Sequence, residues 1–290
     1  MQKWMDVVAP KRVSRSRAGD LAVFLVLLVF GTCMALPFVY AISNSLKPMS
    51  ELWIFPPRFF PSHPTADNFR DLFTLMEDSW IPMSRYIFNS LFITAAGTVG
   101  HIIAASLCAY PLAKFRFPGT RLLFSVVVTS LMFSTAVTAI PNYLIMSRLF
   151  LIDSYWALLL PAMGGSLGLF LMKNFMETSI PDSLLESAEI DGANEWVKFI
   201  GIVMPLVKPA WLTLTIFSVQ NLWGIGSTSM IYSEDLKTLP YALNQIQTAG
   251  IARAGVSAAV GVFMMILPLS VFIFTQSNIM ETMSTSGIKE

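Results

Sequence analysis

The side chains able to do covalent or metal chemistry are few and scattered. Cys33 and Cys108 each sit in an apolar run, with no Cys or His at metal-ligand spacing, and read as small buried hydrophobes. His63 stands in a proline-rich stretch and His101 stands alone in an apolar one, where packing or an interhelical hydrogen bond is the simplest account. A phosphate-cradling loop needs Gly-x-x-x-x-Gly-Lys-Ser/Thr. The nearest string, Gly192 through Lys198 and Phe199, lacks the second glycine and the hydroxyl. Neither a nucleophilic triad nor a metal motif occurs, so the chain is predicted not to be an enzyme and to hold no metal. The chemistry left is non-covalent recognition. Asn142, Tyr143, Gln220, Asn221 and Trp223 pair amide groups with aromatic rings, the combination that holds sugars. The same residues also serve as contacts between helices, and Trp223 as an interfacial anchor.

A second group of polar residues lies in one loop, 173–208. Ser183 followed three residues later by Glu186 predicts a capping box. Leu184, Leu185 and Ala188 then share a helical face, and Gly192 ends the helix. A second short helix is expected from about Asn194 through Ile200, with Pro205 and Pro209 before the next apolar run. A helix, a bend and another helix make a shape suited to the groove of a partner protein.

The elements that carry these groups follow from composition. The 290 residues are 54% hydrophobic and only 13% charged, with a mean hydropathy of +0.63. Soluble domains carry about 25% charged residues, so this depletion predicts a surface that faces lipid. The net charge of +1 argues against a nucleic-acid partner. Six apolar stretches are long enough to cross a bilayer: 21–42, 87–112, 122–146, 155–176, 206–225 and 256–274. All are expected to be helical, because a helix satisfies its own backbone in lipid. The first is too long for a signal peptide and reads as an uncleaved span. With the N-terminus inside, 12 of the 19 Lys and Arg fall on the inner side, led by Lys11, Arg12, Arg15 and Arg17, and 7 on the outer. Both termini are therefore predicted to be cytoplasmic. The prediction is an all-α membrane protein of six transmembrane helices. The long outer connection, 43–86, is expected to form a small cap, and the cytoplasmic loop 173–208 joins the fourth and fifth spans.

That loop resembles the signature of ABC importer permeases. Glu186-Ser187-Ala188, Gly192, Ile202 and Pro205 match Glu-Ala-Ala, three residues, Gly, nine residues, Ile-x-Leu-Pro. Ser187 and Met204 depart in type without shifting the spacing. The chain is similar along most of its length to maltose-type (MalG-like) carbohydrate permeases. Asn89-Ser90, the run from Ala109 to Gly119, Ile140-Pro141-Asn142-Tyr143, Ile180-Pro181, Asp191-Gly192-Ala193, Thr238-Leu239-Pro240 and Gly287-Ile288-Lys289 carry the likeness. Gln220 stands where the family often has Trp. The resemblance implies a single permease domain over 1–290 in a bacterial or archaeal cytoplasmic membrane. It implies a second homologous permease, two cytoplasmic ATPase subunits holding ATP and Mg, and an extracytoplasmic solute-binding protein. The helix with Glu186, Ser187, Ala188, Asp191 and Gly192 would be the coupling helix. Tyr241, Asn244, Gln245 and Gln247 in the segment 227–253 would face the binding protein.

Two other classes compete. An ion-driven secondary carrier usually shows charges within its spans and repeated halves, and these spans hold almost no acidic residues. A membrane enzyme would need paired catalytic groups, which are absent. Within the leading class, the solute is expected to be a sugar or oligosaccharide, with another small polar solute as the alternative.

Overall fold

A computed structural model describes residues 17–77, 81–226, 229–248 and 253–286. All regular structure among them is helical. The N-terminal cluster Lys11, Arg12 and Arg15, and the terminal Gly287-Ile288-Lys289, lie outside the described residues. The chain divides into two units, residues 1–70 with 254–262 and residues 71–253 with 263–290.

In the first unit, helix α1 runs Arg17–Ser45 and is followed by the short α2, Met49–Leu52. Apolar residues surround α1 on all sides and residues 19–40 are exposed, the pattern of a helix solvated by lipid. The connection after it folds tightly by satisfying its own backbone. Asn68 Nδ2 donates to the carbonyls of Ser45 and Lys47, each at 2.8 Å. The Glu51 carboxylate accepts from the amides of Ser62 and His63 at 2.8 and 3.0 Å. Lys47 Nζ donates to Asn44 Oδ1 and the Arg58 carbonyl. Gly255 is required here, because a Cβ on it would stand 2.2 Å from Asn68 Oδ1.

α3 (Asp67–Glu77) passes from the first unit to the second. The second unit is built around α4, Met83–Lys114, which starts after Pro82 and ends where Phe115 turns extended. Its buried stripe recurs every three or four residues: Tyr86, Asn89, Ser90, Ile93, Thr94, Gly97, Thr98, His101, Ala105, Ser106, Ala109 and Tyr110. The stripe is mostly small or polar, whereas Phe88, Phe92, Val99 and Ile103 are exposed. A helix in lipid gains little by hiding large apolar groups and packs through small ones. Against α4 lie α7 (Trp156–Met163), α8 (Ser166–Ser179) and α12 (Lys208–Trp223). One buried cluster joins Ala109, Met172, Met176, Phe199, Val203 and Leu214, and another joins Ile93, Leu158, Leu159 and Leu222.

Among the described residues, four helical stretches are long and apolar enough to cross a membrane: Gly19–Ser45, Met83–Lys114, Trp156–Ser179 and Ala254–Gln276. There are up to six if each of two bent pairs counts as one span. The expected third span, 122–146, is not one straight helix. It breaks between α5 (Thr120–Ser130) and α6 (Thr135–Arg148), which meet at 112°. Short-range bonds wind α5 to its end, Met132 N to Thr129 O and Phe133 N to Ser130 O, and Ser134 restarts the chain. The fifth is bent by 74° between Glu195–Leu206 and Lys208–Trp223. There a π-helical turn at Phe199–Val203 and two prolines, Pro205 and Pro209, interrupt the backbone ladder. The Trp211 indole donates to the Met204 carbonyl at 3.2 Å, satisfying a group beside the bend. The last helix, α14, covers Ala254–Ser286.

Candidate functional site

The loop between α8 and α12 holds α9 (Asp182–Ile190), α10 (Glu195–Lys198), the π-helical turn and α11 (Met204–Leu206). Its first helix begins two residues earlier than the predicted capping box requires. Pro181 sets the entry, Ser183 lies inside the helix, and neither Ser183 nor Glu186 caps it. Ser187 Oγ instead donates back to the Ser183 carbonyl at 2.8 Å. The negative charge at the helix start comes from Asp182, gripped by Lys114 at 2.8 Å. That hydrogen bond and the Lys114 charge hold the Asp182 carboxyl below the usual carboxylate range.

The end of α9 matches the prediction closely. Gly192 takes a φ of +84°. Its amide donates to Glu189 O at 3.0 Å, and that of Ala193 donates to Ala188 O at 2.9 Å. This crossed pair is a Schellman closure, and a left-handed residue at its apex favours glycine. Asn194 then caps α10, its Oδ1 accepting from Val197 N at 2.9 Å.

Two ties fasten this loop to the last turn of α4. Lys114 Nζ also donates to the Ile180 carbonyl at 2.5 Å. One turn back, Tyr110 Oη donates to Glu195 at 2.8 Å. Glu195 is paired in turn with the buried Lys198 at 2.7 Å, and Lys198 reaches Glu189 at 3.0 Å. Tyr110, Lys114, Glu195 and Lys198 are thus functional candidates that motif matching missed. Their signal is a Tyr and a Lys four apart at a helix end, which place two polar groups on one face. With its base fixed, the loop presents other groups to solvent. Glu186 is exposed and has no hydrogen bond or ion pair among the described residues. Asp191, Ile190 and Trp196 are exposed, and Leu185 packs inward. Ile202 is half-buried in the π-helical turn and Pro205 is exposed in α11.

The candidates for contact with solute do not converge on one site. Gln220 and Asn221 are exposed on α12, on the face shared with Phe217 and Gly224. Trp223 faces the other way: it is buried and its indole donates to the Met264 carbonyl at 2.9 Å. Asn142 and Tyr143 are half-buried on α6, and the Tyr143 hydroxyl meets that of Tyr232 at 3.0 Å. His101 is buried at mid-helix. Its Nε2 lies 3.1 Å from the Gly165 carbonyl and its Nδ1 2.8 Å from Ser218 Oγ. A carbonyl only accepts, so Nε2 carries the proton and Nδ1 accepts from the serine. No group of three or more metal-ligating side chains occurs among the described residues.

At the Met83 end of α4, Asn89 Nδ2 donates to the carbonyls of Asp235 and Lys237, each at 2.8 Å. Asn89 Oδ1 accepts from Tyr155 Oη at 2.8 Å, and Ser90 Oγ accepts from the Leu239 amide at 2.7 Å. These bonds fix the start of α13, Leu239–Gln247. Two of the quoted motifs, Asn89-Ser90 and Thr238-Leu239-Pro240, therefore meet. Asp153 ties down the preceding turn through the amides of Tyr232 and Ser233, at 2.9 and 2.8 Å. The hydrogen bonds from Ser233 and then Tyr232 keep its carboxyl below the ordinary range. On α13, Tyr241 Oη accepts from Lys237 Nζ at 2.8 Å and Gln245 Nε2 at 2.5 Å. Asn244 and Gln247 are exposed, and their side chains make no hydrogen bond among the described residues.

Residues 101–279 match the family of binding-protein-dependent transport system inner membrane components. The chain belongs to that family. Within it, this permease is 33% identical to the polygalacturonan/rhamnogalacturonan transport system permease protein YtcP of Bacillus subtilis, over 78% of this chain and 76% of that one. It is 26% identical to the galactooligosaccharides transport system permease protein GanQ of the same organism, over 92% and 94%. Its fold matches a crystal structure of a bacterial ABC transporter that imports the acidic polysaccharide alginate. The TM-score is 0.75 at 24% identity, covering 92% of this chain and 99% of that one. The permease is accordingly a multi-pass inner-membrane component of a transport system, with helices long enough to span.

Proposed function

We propose that residues 1–290 form one permease subunit of an ATP-driven importer for an oligosaccharide. It pairs with a second homologous permease, two cytoplasmic ATPase subunits that hold ATP and Mg, and an extracytoplasmic solute-binding protein. The solute class is supported by relatives named for pectic and galactose-containing oligosaccharides. The bent pairs complete six spans, both termini are cytoplasmic, 43–86 is extracytoplasmic, and 173–208 is the coupling loop. The membrane is that of a bacterium or archaeon.

The observation that carries this reading is the architecture of the loop. Its base is locked to α4 through Lys114 and Tyr110, while Glu186, Asp191, Ile190 and Trp196 face outward. A helix gripped at one side and bare on the other transmits a push. ATPase closure would move α9, and Ala188 and Gly192 would let a partner groove approach its backbone. α4 and α8 would follow through the two ties. Gln220, Asn221, Asn142 and Tyr143 are the pathway candidates, with Trp223 acting as a packing residue. Asn244, Gln245, Gln247 and Tyr241 face the binding protein.

Purification of the tagged chain from its own membrane tests this. The expected result is co-purification of an ATPase and a second permease, with solute uptake strictly dependent on ATP. Uptake by the chain alone in liposomes under an ion gradient would establish a secondary carrier instead. External labelling of a cysteine placed at Asn194 would overturn the orientation.

A further inference from the structure

The ends of α4 and α8 and the start of α5 enclose a cleft of about 1320 Å³. Its charged lining residues are Lys114, Arg116, Arg121, Glu177 and Asp182. Both carboxylates are already engaged, Asp182 by Lys114 and Glu177 by Lys173 one turn away. Arg116 adds only a longer-range attraction to Asp182. Neither Arg116 nor Arg121 has a hydrogen bond or ion pair among the described residues. The cleft thus carries two uncompensated positive charges.

Its surroundings specify what else a ligand must bring. α5 leaves the cleft as an apolar helix with no buried residue, and Leu122 on its first turn is 70% exposed. Phe115 and Phe117 are exposed on the connecting turn, beside Arg116. α4 ends at Lys114, so the two arginines sit where apolar helix gives way to polar loop, at the depth of lipid headgroups. An acidic protein surface would match the charge and leave the apolar wall of α5 uncovered. A molecule with an anionic head and hydrocarbon tails matches both.

We infer that this cleft binds an anionic phospholipid, its phosphate between Arg116 and Arg121 and its acyl chains along α5. Guanidinium groups suit phosphate because they donate in a planar fork. The net charge of the cleft selects a headgroup without a compensating ammonium. Only the leaflet, cytoplasmic, rests on the proposed orientation. The binding itself does not.

The test is native mass spectrometry of the full-length chain, purified in detergent and titrated with phosphatidylglycerol or with phosphatidylcholine of equal chain length. Phosphatidylglycerol is expected to be retained about tenfold more. The double variant R116Q/R121Q should lose that preference while R116K/R121K keeps most of it, with both chains monodisperse. Should the glutamine variant fail to fold, added salt on the wild type replaces it, and the preference should collapse at about 1 M salt. Equal retention of the two lipids, an unchanged glutamine variant, or a preference that survives salt would overturn the proposal. Displacement by inorganic phosphate at equal concentration would assign the cleft to a soluble anion. Loss of a co-purifying ATPase from R116Q/R121Q with lipid preference intact would assign the arginines to that partner, again against the lipid.

Discussion

The two ends of α4 do the same mechanical task by different chemistry. At the Lys114 end, charged side chains hold the loop: Lys114 with Asp182, and Lys198 with Glu195 and Glu189. The carboxylates there are largely exposed. At the Met83 end, a buried asparagine and serine hold backbone groups of 235–239 through neutral hydrogen bonds. Exposed ion pairs are worth little and exchange readily with water. A buried amide whose every bond is satisfied is costly to disturb. The charged end should therefore yield to perturbation more readily than the neutral one.

The largest expected effect is at Gly192. Gly192→Val should reduce solute uptake to background in cells matched for membrane-inserted protein. A Cβ there meets nothing within 4 Å, so the cost is conformational, about 1 kcal/mol or more for holding a branched residue in the left-handed region. Asn tolerates that region, so Gly192→Asn should keep much of the activity. Near wild-type uptake by the valine variant would remove the loop from the mechanism.

Next comes the neutral end. Asn89→Leu strands two carbonyls and the Tyr155 hydroxyl, and should cost about 3 kcal/mol, read as a lower thermal unfolding midpoint in detergent. That loss should be the same at pH 5 and pH 8. A loss that varies with pH would erase the contrast between the ends. Tyr110→Phe should cost less, about 1 kcal/mol, because Glu195 keeps Lys198. Faster proteolysis within 182–198 is its signature, and a double-mutant cycle with Lys198→Met should show coupling.

The smallest effect is the pH response of Asp182. Its carboxyl is depressed by the hydrogen bond and charge of Lys114, so the anchor is intact at neutral pH and is lost only as pH falls through that depressed value, below the ordinary carboxylate range. Labelling of a cysteine at Asn194 should therefore stay constant from pH 8 to 5 and rise only below that. Asp182→Asn should flatten the rise.

Much of the loop was legible in its sequence, because Gly192 and Asn194 act on their own backbone within a few residues. The start of α9 was not, since Pro181 dictates an entry that the Ser183–Glu186 spacing disguises. The break in 131–134 was equally hidden: Leu131, Met132 and Phe133 are as apolar as any span, and only their turn geometry separates two helices. Trp223 has an aromatic ring and a donor like any sugar-binding residue, and its orientation depends on where Met264 lies. Asn89 appeared as a motif, but its partners at 235 and 237 are a matter of tertiary placement.

One close approach bears on inheritance. The His101 ring rests on the backbone of Gly165 and Gly168, where an added Cβ would stand 2.6 and 2.3 Å from Nε2. Neither position can accept even a methyl group while the imidazole stays. Positions 101, 165 and 168 should therefore vary together among descendants of this gene. A selection starting from a defective Gly168→Ala strain should return second-site revertants at codon 101, most of them encoding a smaller side chain.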